Sequence, residues 1–175
     1  MYDAAGLALL ERELNDRLGV AAVVGHDLHC GQASLAIDPD HNRAVLSELR
    51  ERHGYNFLSS LHGADYLPAK PRFAVHYEML AMARVERICV KALVEDPGHS
   101  QIATIASVVD LFATADFQER EVYDFFGIAF DGHPDLRRIL MPEEYVGFPQ
   151  RRDFPIGGDP VIFTYDEDSV PGWTK

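Results

Sequence analysis

The chain has 175 residues, is 47% hydrophobic and 25% charged, and carries 16 Lys and Arg against 28 Asp and Glu, a net charge of −12. That length and composition predict one globular core and exclude collagen-like, disordered and low-complexity chains. A surplus of negative charge repels phosphate backbones and anionic lipid, so no nucleic acid is expected as a partner. Two cysteines, Cys30 and Cys89, are too few for a disulfide framework or a four-thiolate iron–sulfur cluster. The first residues, MYDAAGLALLERE, have no basic stretch followed by a sustained apolar run, so no signal peptide is expected. The longest apolar run, Ile102 to Ala115, is interrupted by Thr104, Ser107, Asp110 and Thr114 and falls short of a membrane span.

In chain order, Leu7, Leu10, Leu14 and Leu18 recur at three- and four-residue steps before Gly19, which predicts a helix over 4–18. Strands are expected over 20–25 and 32–37, and Asp38-Pro39-Asp40 introduces a helix over 41–53 that Gly54 stops. YNFLSSL (55–61) reads as a strand. Strict alternation from Phe73 through Val75, Tyr77, Met79 and Ala81 predicts another to residue 82, and Ile88, Val90, Ala92 and Val94 repeat it over 85–95. A further β-rich run covers 102–109. Helices preceding and following a run of strands give an α+β class, with helices packed on a mainly antiparallel sheet.

DFQEREVYDFF (116–126) has Asp116 and Glu119 at capping-box spacing and ends at Gly127, which predicts a short helix with Phe117, Val122, Phe125 and Phe126 facing the sheet. Arg120 and Asp124 are placed for an i,i+4 ion pair on that helix. Pro134 stands at an expected first helical position. Six of the ten prolines lie beyond residue 130, with Gly147, Gly157, Gly158 and Gly172 among them. Residues 1–130 are therefore expected to form the core domain, and 131–175 an extended Pro-rich tail with no core of its own, which would be either disordered or laid along a partner surface; Tyr145, Phe148, Phe154, Phe163, Tyr165 and Trp173 favour docking. Residues 133–155 hold four Arg and four acids and are neutral, whereas residues 1–132 hold 20 acids against 11 Lys and Arg. Arg137, Arg138, Arg151 and Arg152 suit bidentate carboxylate pairing and read as protein-interface anchors that pair with acids within the chain or on a neighbour, with Asp153 beside them.

The run Glu119-Arg120-Glu121, Asp124-Phe125-Phe126, His133, Arg137, Ile139-Leu140, followed by MPEEYVGFPQRRDFP, resembles the 30-kDa (C) subunit of proton-pumping NADH:quinone oxidoreductase (respiratory complex I). The resemblance is dense over 116–158, looser over 55–115 and faint before that. It departs from the family at Asp131-Gly132 and in a tail ending at Lys175. It implies a peripheral-arm subunit with no cofactor of its own, structural in electron transfer from NADH to quinone. FMN and iron–sulfur clusters would lie on partner subunits, the 49-kDa-type (D) subunit and the cluster-bearing subunits being the expected partners. Its place would be peripheral, on the cytoplasmic or matrix face of the energy-transducing membrane. Related membrane-bound hydrogenase and F420-type complexes carry a similar subunit and form the alternative.

Plainer readings stand beside sharper ones. His26, His29 and Cys30 could be imagined around a metal, but a structural site needs four ligands, so surface or turn positions are expected and no metal. Glu119, Glu121 and His133 could form an acid–base set in a free soluble enzyme, yet helix capping and surface pairing account for both glutamates, so no catalytic residue is expected. No phosphate-binding glycine motif occurs, and Gly157-Gly158 is not one, so no nicotinamide or flavin is expected on this chain. Phe125, Phe126 and Phe130 read as core.

Overall fold

The computed structural model describes residues 3–98 and 101–155. Helix α1 (Ala4–Leu18) starts where the Asp3 carboxylate accepts the Gly6 N–H at 2.7 Å and stops at Gly19, whose φ of 69° is open to glycine. Its Leu7, Leu10 and Leu14 are buried. Strand β1 (Val23–His29) begins three residues later than the apolar run suggests. The cause is a tight turn at Val20–Ala22 and the Asn15 side-chain amide, which donates to the Val23 carbonyl at 2.9 Å and accepts its N–H at 2.8 Å. Strand β2 (Gln32–Ile37) follows a hairpin, and a 3₁₀ turn at Pro39–His41 leads into α2 (Asn42–Glu51).

Strands β3 (Phe57–Asp65), β4 (Phe73–Ala81) and β5 (Glu86–Val94) come next, then β6 (Ala103–Ala106), α3 (Ala115–Phe126) and β7 (Ile128–Asp131). The main sheet has the order β1-β2-β5-β4-β3, antiparallel except for a parallel β2–β5 pair, and β6 and β7 form a separate parallel pair. The α+β class with a mainly antiparallel sheet holds. Period two is legible in β4 and β5 because Phe73, Val75, Tyr77 and Met79 all enter the core with Ile88, Val90 and Ala92 opposite. The strand expected to end at residue 61 runs further, because pairing with β4 carries β3 on to Asp65↔Phe73 through the polar His62-Gly63. The short β7 has no sequence signal of its own and follows Gly127 without a linker.

Helix α3 differs most from its sequence pattern. No capping box forms: Thr114 stands at the N-cap without a side-chain bond to the helix, and Glu119 is fully buried elsewhere. The side chains at this end close the edge of β3 instead. Thr114 Oγ1 donates to the Leu58 carbonyl, and the Gln118 side-chain carbonyl accepts the Leu61 N–H. Val122 and Phe126 are buried and Phe125 half-buried, but Phe117 is 63% exposed rather than facing the sheet. Gly63 lets the helix approach, because a Cβ there would lie 2.6 Å from Phe126 Cδ2. Pro134 starts no helix; residues 132–155 are turns.

On the sheet face opposite the core, the His62 and His76 rings stack with centroids 4.9 Å apart. His76 Nε2 lies 3.1 Å from the Tyr66 hydroxyl and Nδ1 3.6 Å from Cys89 Sγ. Burial, and then the neighbouring His62 and Lys91 charges, hold the His76 pKa down to about 4.

Two outcomes are expected. Gly63→Ala should lower stability by about 1–3 kcal/mol in denaturant titration, and Phe126→Leu in the same chain should restore part of it. Because His76 is neutral when folded but protonates near pH 6.5 when unfolded, it makes folding weaker as pH falls from about 6.5 to 4. His76→Gln should therefore show a shallower loss of thermal stability across that window than the unchanged chain.

Candidate functional site

Three buried carboxylates organise the region that the sequence motif marks. The first is Glu119 on α3, fully buried, which accepts the Ser107 hydroxyl at 2.6 Å and the Val108 N–H at 2.7 Å. Burial pushes its pKa up. It ties α3 to the loop after β6, and so it is held away from any acid–base partnership with Glu121, which lies on the exposed side of the helix.

The second is Asp124, one turn further on and with none of its side chain exposed. Arg138 Nη1 donates to it at 2.7 Å, and the consecutive N–H groups of Ile139, Leu140 and Met141 donate at 3.1, 2.7 and 2.8 Å. Burial alone would raise this carboxyl, but the Met141 N–H, Arg138 and the two neighbouring amides outweigh it and hold the group below its ordinary value. Arg138 is fully engaged in turn: its Nη2 reaches the Tyr145 and Gly147 carbonyls at 2.9 and 2.8 Å. The expected Arg120–Asp124 pair along the helix is therefore not made. Arg120 instead donates to the Arg137 and Arg138 carbonyls, so both α3 side chains grip the segment that follows β7.

The third is Asp65 at the end of β3. Arg72 meets it in a fork, Nε to Oδ1 at 3.0 Å and Nη2 to Oδ2 at 2.8 Å, and the Arg152 and Leu67 N–H groups add bonds at 2.9 and 3.0 Å. Burial opposes ionisation here, but the Arg72 fork and the two amides prevail and bring the Asp65 pKa down to about 2. Arg72 also reaches Asp96 at 2.8 Å and Asp153 at 2.6 Å, so one guanidinium joins three carboxylates from distant parts of the chain. Arg151 lies alongside, donating to the Phe126 carbonyl at 2.6 Å, with its guanidinium 5.1 Å from the Phe73 ring centre and 4.7 Å from that of Phe148. Burial and the adjacent Arg72 charge lower its pKa.

Of the residues that the sequence singled out, Arg120, Asp124, Arg138, Arg151, Arg152 and Asp153 thus fasten residues 133–155 onto α3 and the β3–β4 end of the sheet, while Glu119 ties α3 to the loop after β6. His133 caps the arrangement: its Nδ1 accepts the Asp135 N–H, which leaves Nε2–H to donate to the Asp116 carbonyl at 3.1 Å. The Glu121 and Arg137 side chains take no part in these bonds and face outward, and among the described residues the Arg137 guanidinium pairs with Asp135. Around them Phe117, Leu140 and Val146 are 63%, 61% and 90% exposed. Phe163, Tyr165, Trp173 and the Gly157-Gly158 pair lie outside the described residues. Arg72, Asp65 and Asp96 were missed. The available signal was Arg72 itself, a charge directly preceding the most buried strand.

Elsewhere His26 pairs with Glu11 and Cys30 is exposed at a hairpin tip. Among the described residues no three His, Cys, Asp or Glu side chains are grouped to hold a metal ion.

Residues 35–160 match the family model for the respiratory-chain NADH dehydrogenase 30-kDa subunit. The chain is 39% identical over 166 residues to the C subunit of NADH-quinone oxidoreductase from Roseiflexus castenholzii, covering 94% of this chain and 90% of that protein. It is 43% identical over 129 residues to NADH-quinone oxidoreductase subunit 5 of Thermus thermophilus, covering 67% and 59%. A solved trypsin-resistant fragment of Nqo5 superposes with a TM-score of 0.60 at 30% identity, over 74% of this chain and 98% of the fragment. A chain of the archaeal membrane-bound sulfane sulfur reductase shares the fold, with a TM-score of 0.67 at 20% identity over 85% of each chain.

Asparagine at position 124 would carry no charge and would turn an NH2 donor toward either Arg138 or the three amides, which then lose their acceptor. Asp124→Asn should cost about 3–5 kcal/mol, and limited trypsin digestion should then cut at Arg137 and Arg138 well before the unchanged chain is cut there.

Proposed function

Because the chain belongs to the respiratory-chain NADH dehydrogenase 30-kDa subunit family, we propose that it is a peripheral-arm subunit of an NADH-quinone oxidoreductase that holds no cofactor and performs no chemistry itself. FMN and the iron–sulfur clusters belong, in this reading, to partner subunits. Its contribution to NADH-to-quinone electron transfer is positional. The family match across residues 35–160 carries the reading.

The site's geometry supports it. Arg120, Asp124, Arg138 and Arg151 hold residues 133–155 in a fixed shape, and Phe117, Leu140 and Val146 are left exposed, as are Glu121, Arg137, Glu143 and Glu144. An apolar centre with a charged rim is the make-up of a protein interface. The partner on this face is the 49-kDa-type (D) subunit, and the residues beyond 155 extend the contact to it and to the cluster-bearing subunits. Among the described residues no helix is long and apolar enough to cross a membrane, which fits attachment through the assembled complex, on its cytoplasmic or matrix side.

The test is affinity capture of the tagged chain from detergent-solubilised membranes of its source. Flavin, iron–sulfur and large membrane subunits should elute with it, together with NADH:quinone activity. Elution alone, or with a nickel-bearing hydrogenase subunit in place of a flavin subunit, overturns the reading.

A further inference from the structure

The two edges of the main sheet are treated differently by this chain. The β3 edge is closed by α3, through Thr114 on the Leu58 carbonyl and Gln118 on the Leu61 N–H. The β1 edge receives the same treatment only at its first residue, where Asn15 takes both main-chain groups of Val23. From Gly25 to His29, about 17 Å of extended backbone, no side chain of the described residues bonds to the outward main-chain groups; the one side-chain contact, Ser34 Oγ with the Asp27 carbonyl, comes from the paired strand β2.

Proteins commonly blunt an open edge with Lys, Pro or a bulge within it. Gly-His-Asp-Leu-His contains no Lys, Arg or Pro, and the only register shift, between Val23 and Gly25, precedes the open stretch. Four of its five residues, His26 to His29, are exposed, with Leu28 37% exposed and Val24, just before it, 57% exposed.

We infer that the Gly25–His29 edge of β1 accepts an extended segment of another subunit as a sixth strand of the main sheet, a mode in which main-chain bonds supply affinity and alternate side chains supply specificity. The occupant carries a basic side chain opposite Asp27 and an apolar one against Leu28. A second copy of this chain does not fit, because antiparallel self-pairing over 25–29 sets Asp27 against Asp27 between two chains that each carry −12. The inference rests on the subunit reading above, and it adds a second contact on the far side of the sheet from residues 133–155.

Amide hydrogen exchange of the full chain, alone and within the purified complex, tests it. The outward-facing amides of residues 25–29 should exchange at least tenfold more slowly in the complex. Asp27→Lys should reduce capture of partner subunits at least tenfold with the melting temperature of the free chain unchanged, and Asp27→Asn should reduce it less. Unprotected amides in a chain that still co-purifies with its partners overturn the edge contact and leave the subunit reading intact, as does normal capture by Asp27→Lys. A chain that captures no partners overturns both.

Discussion

A carboxylate sealed from water has to be both neutralised and hydrogen-bonded, and at Asp124 that requirement decides the course of the chain for the next thirty residues. One oxygen holds the Arg138 guanidinium and the other gathers three successive N–H groups. A helix start offers an anion the same set of donors, yet no helix follows here. The Asp124 charge does from outside what a helical turn would do from within, and the backbone at 139–141 is satisfied without regular structure. Arg138, fixed by that ion, then organises the next loop through the Tyr145 and Gly147 carbonyls.

The Arg72 node works on the same physics with the signs reversed. Here a nearly buried cation is the centre, and Asp65, Asp96 and Asp153 surround it. Three negative charges around one positive charge would repel each other if Arg151 did not lie alongside, and Arg151 is itself held between Phe73 and Phe148. Charge and aromatic area are therefore interleaved: the rings exclude water that would weaken the ion pairs, and the ions fix the rings. Removing a fully buried member, Asp124 or Asp65, leaves its arginine as an uncompensated charge in the interior.

Much of the domain could be read from the sequence because single-face burial leaves a period. The leucines of α1 and the alternating residues of β4 and β5 each report one buried face, and glycines 19 and 127 report positive φ. What could not be read was pairing across distance. Arg72 and Asp153 are 81 positions apart, and no local pattern connects them. Glu119 was legible as a capping residue by spacing, but Ser107 and the Val108 amide, 12 and 11 residues away, compete for the same carboxylate and hold it inside the fold. The four arginines read from the sequence as carboxylate-pairing anchors for a protein interface. Among the described residues, however, Arg138, Arg151 and Arg152 find their partners within this chain, leaving Arg137 on the outer surface.

The 81-residue span between Arg72 and Asp153 also carries a clock. At about 5–20 residues per second of synthesis, Arg72 leaves the ribosome roughly 4–16 seconds before Asp153 does. In that interval Asp65 and Asp96 are already at hand to hold its charge, so the sheet can close without the late partner. The flank that carries the motif is thus the last part of the described fold to set, completed on a surface that the earlier part of the chain has finished preparing.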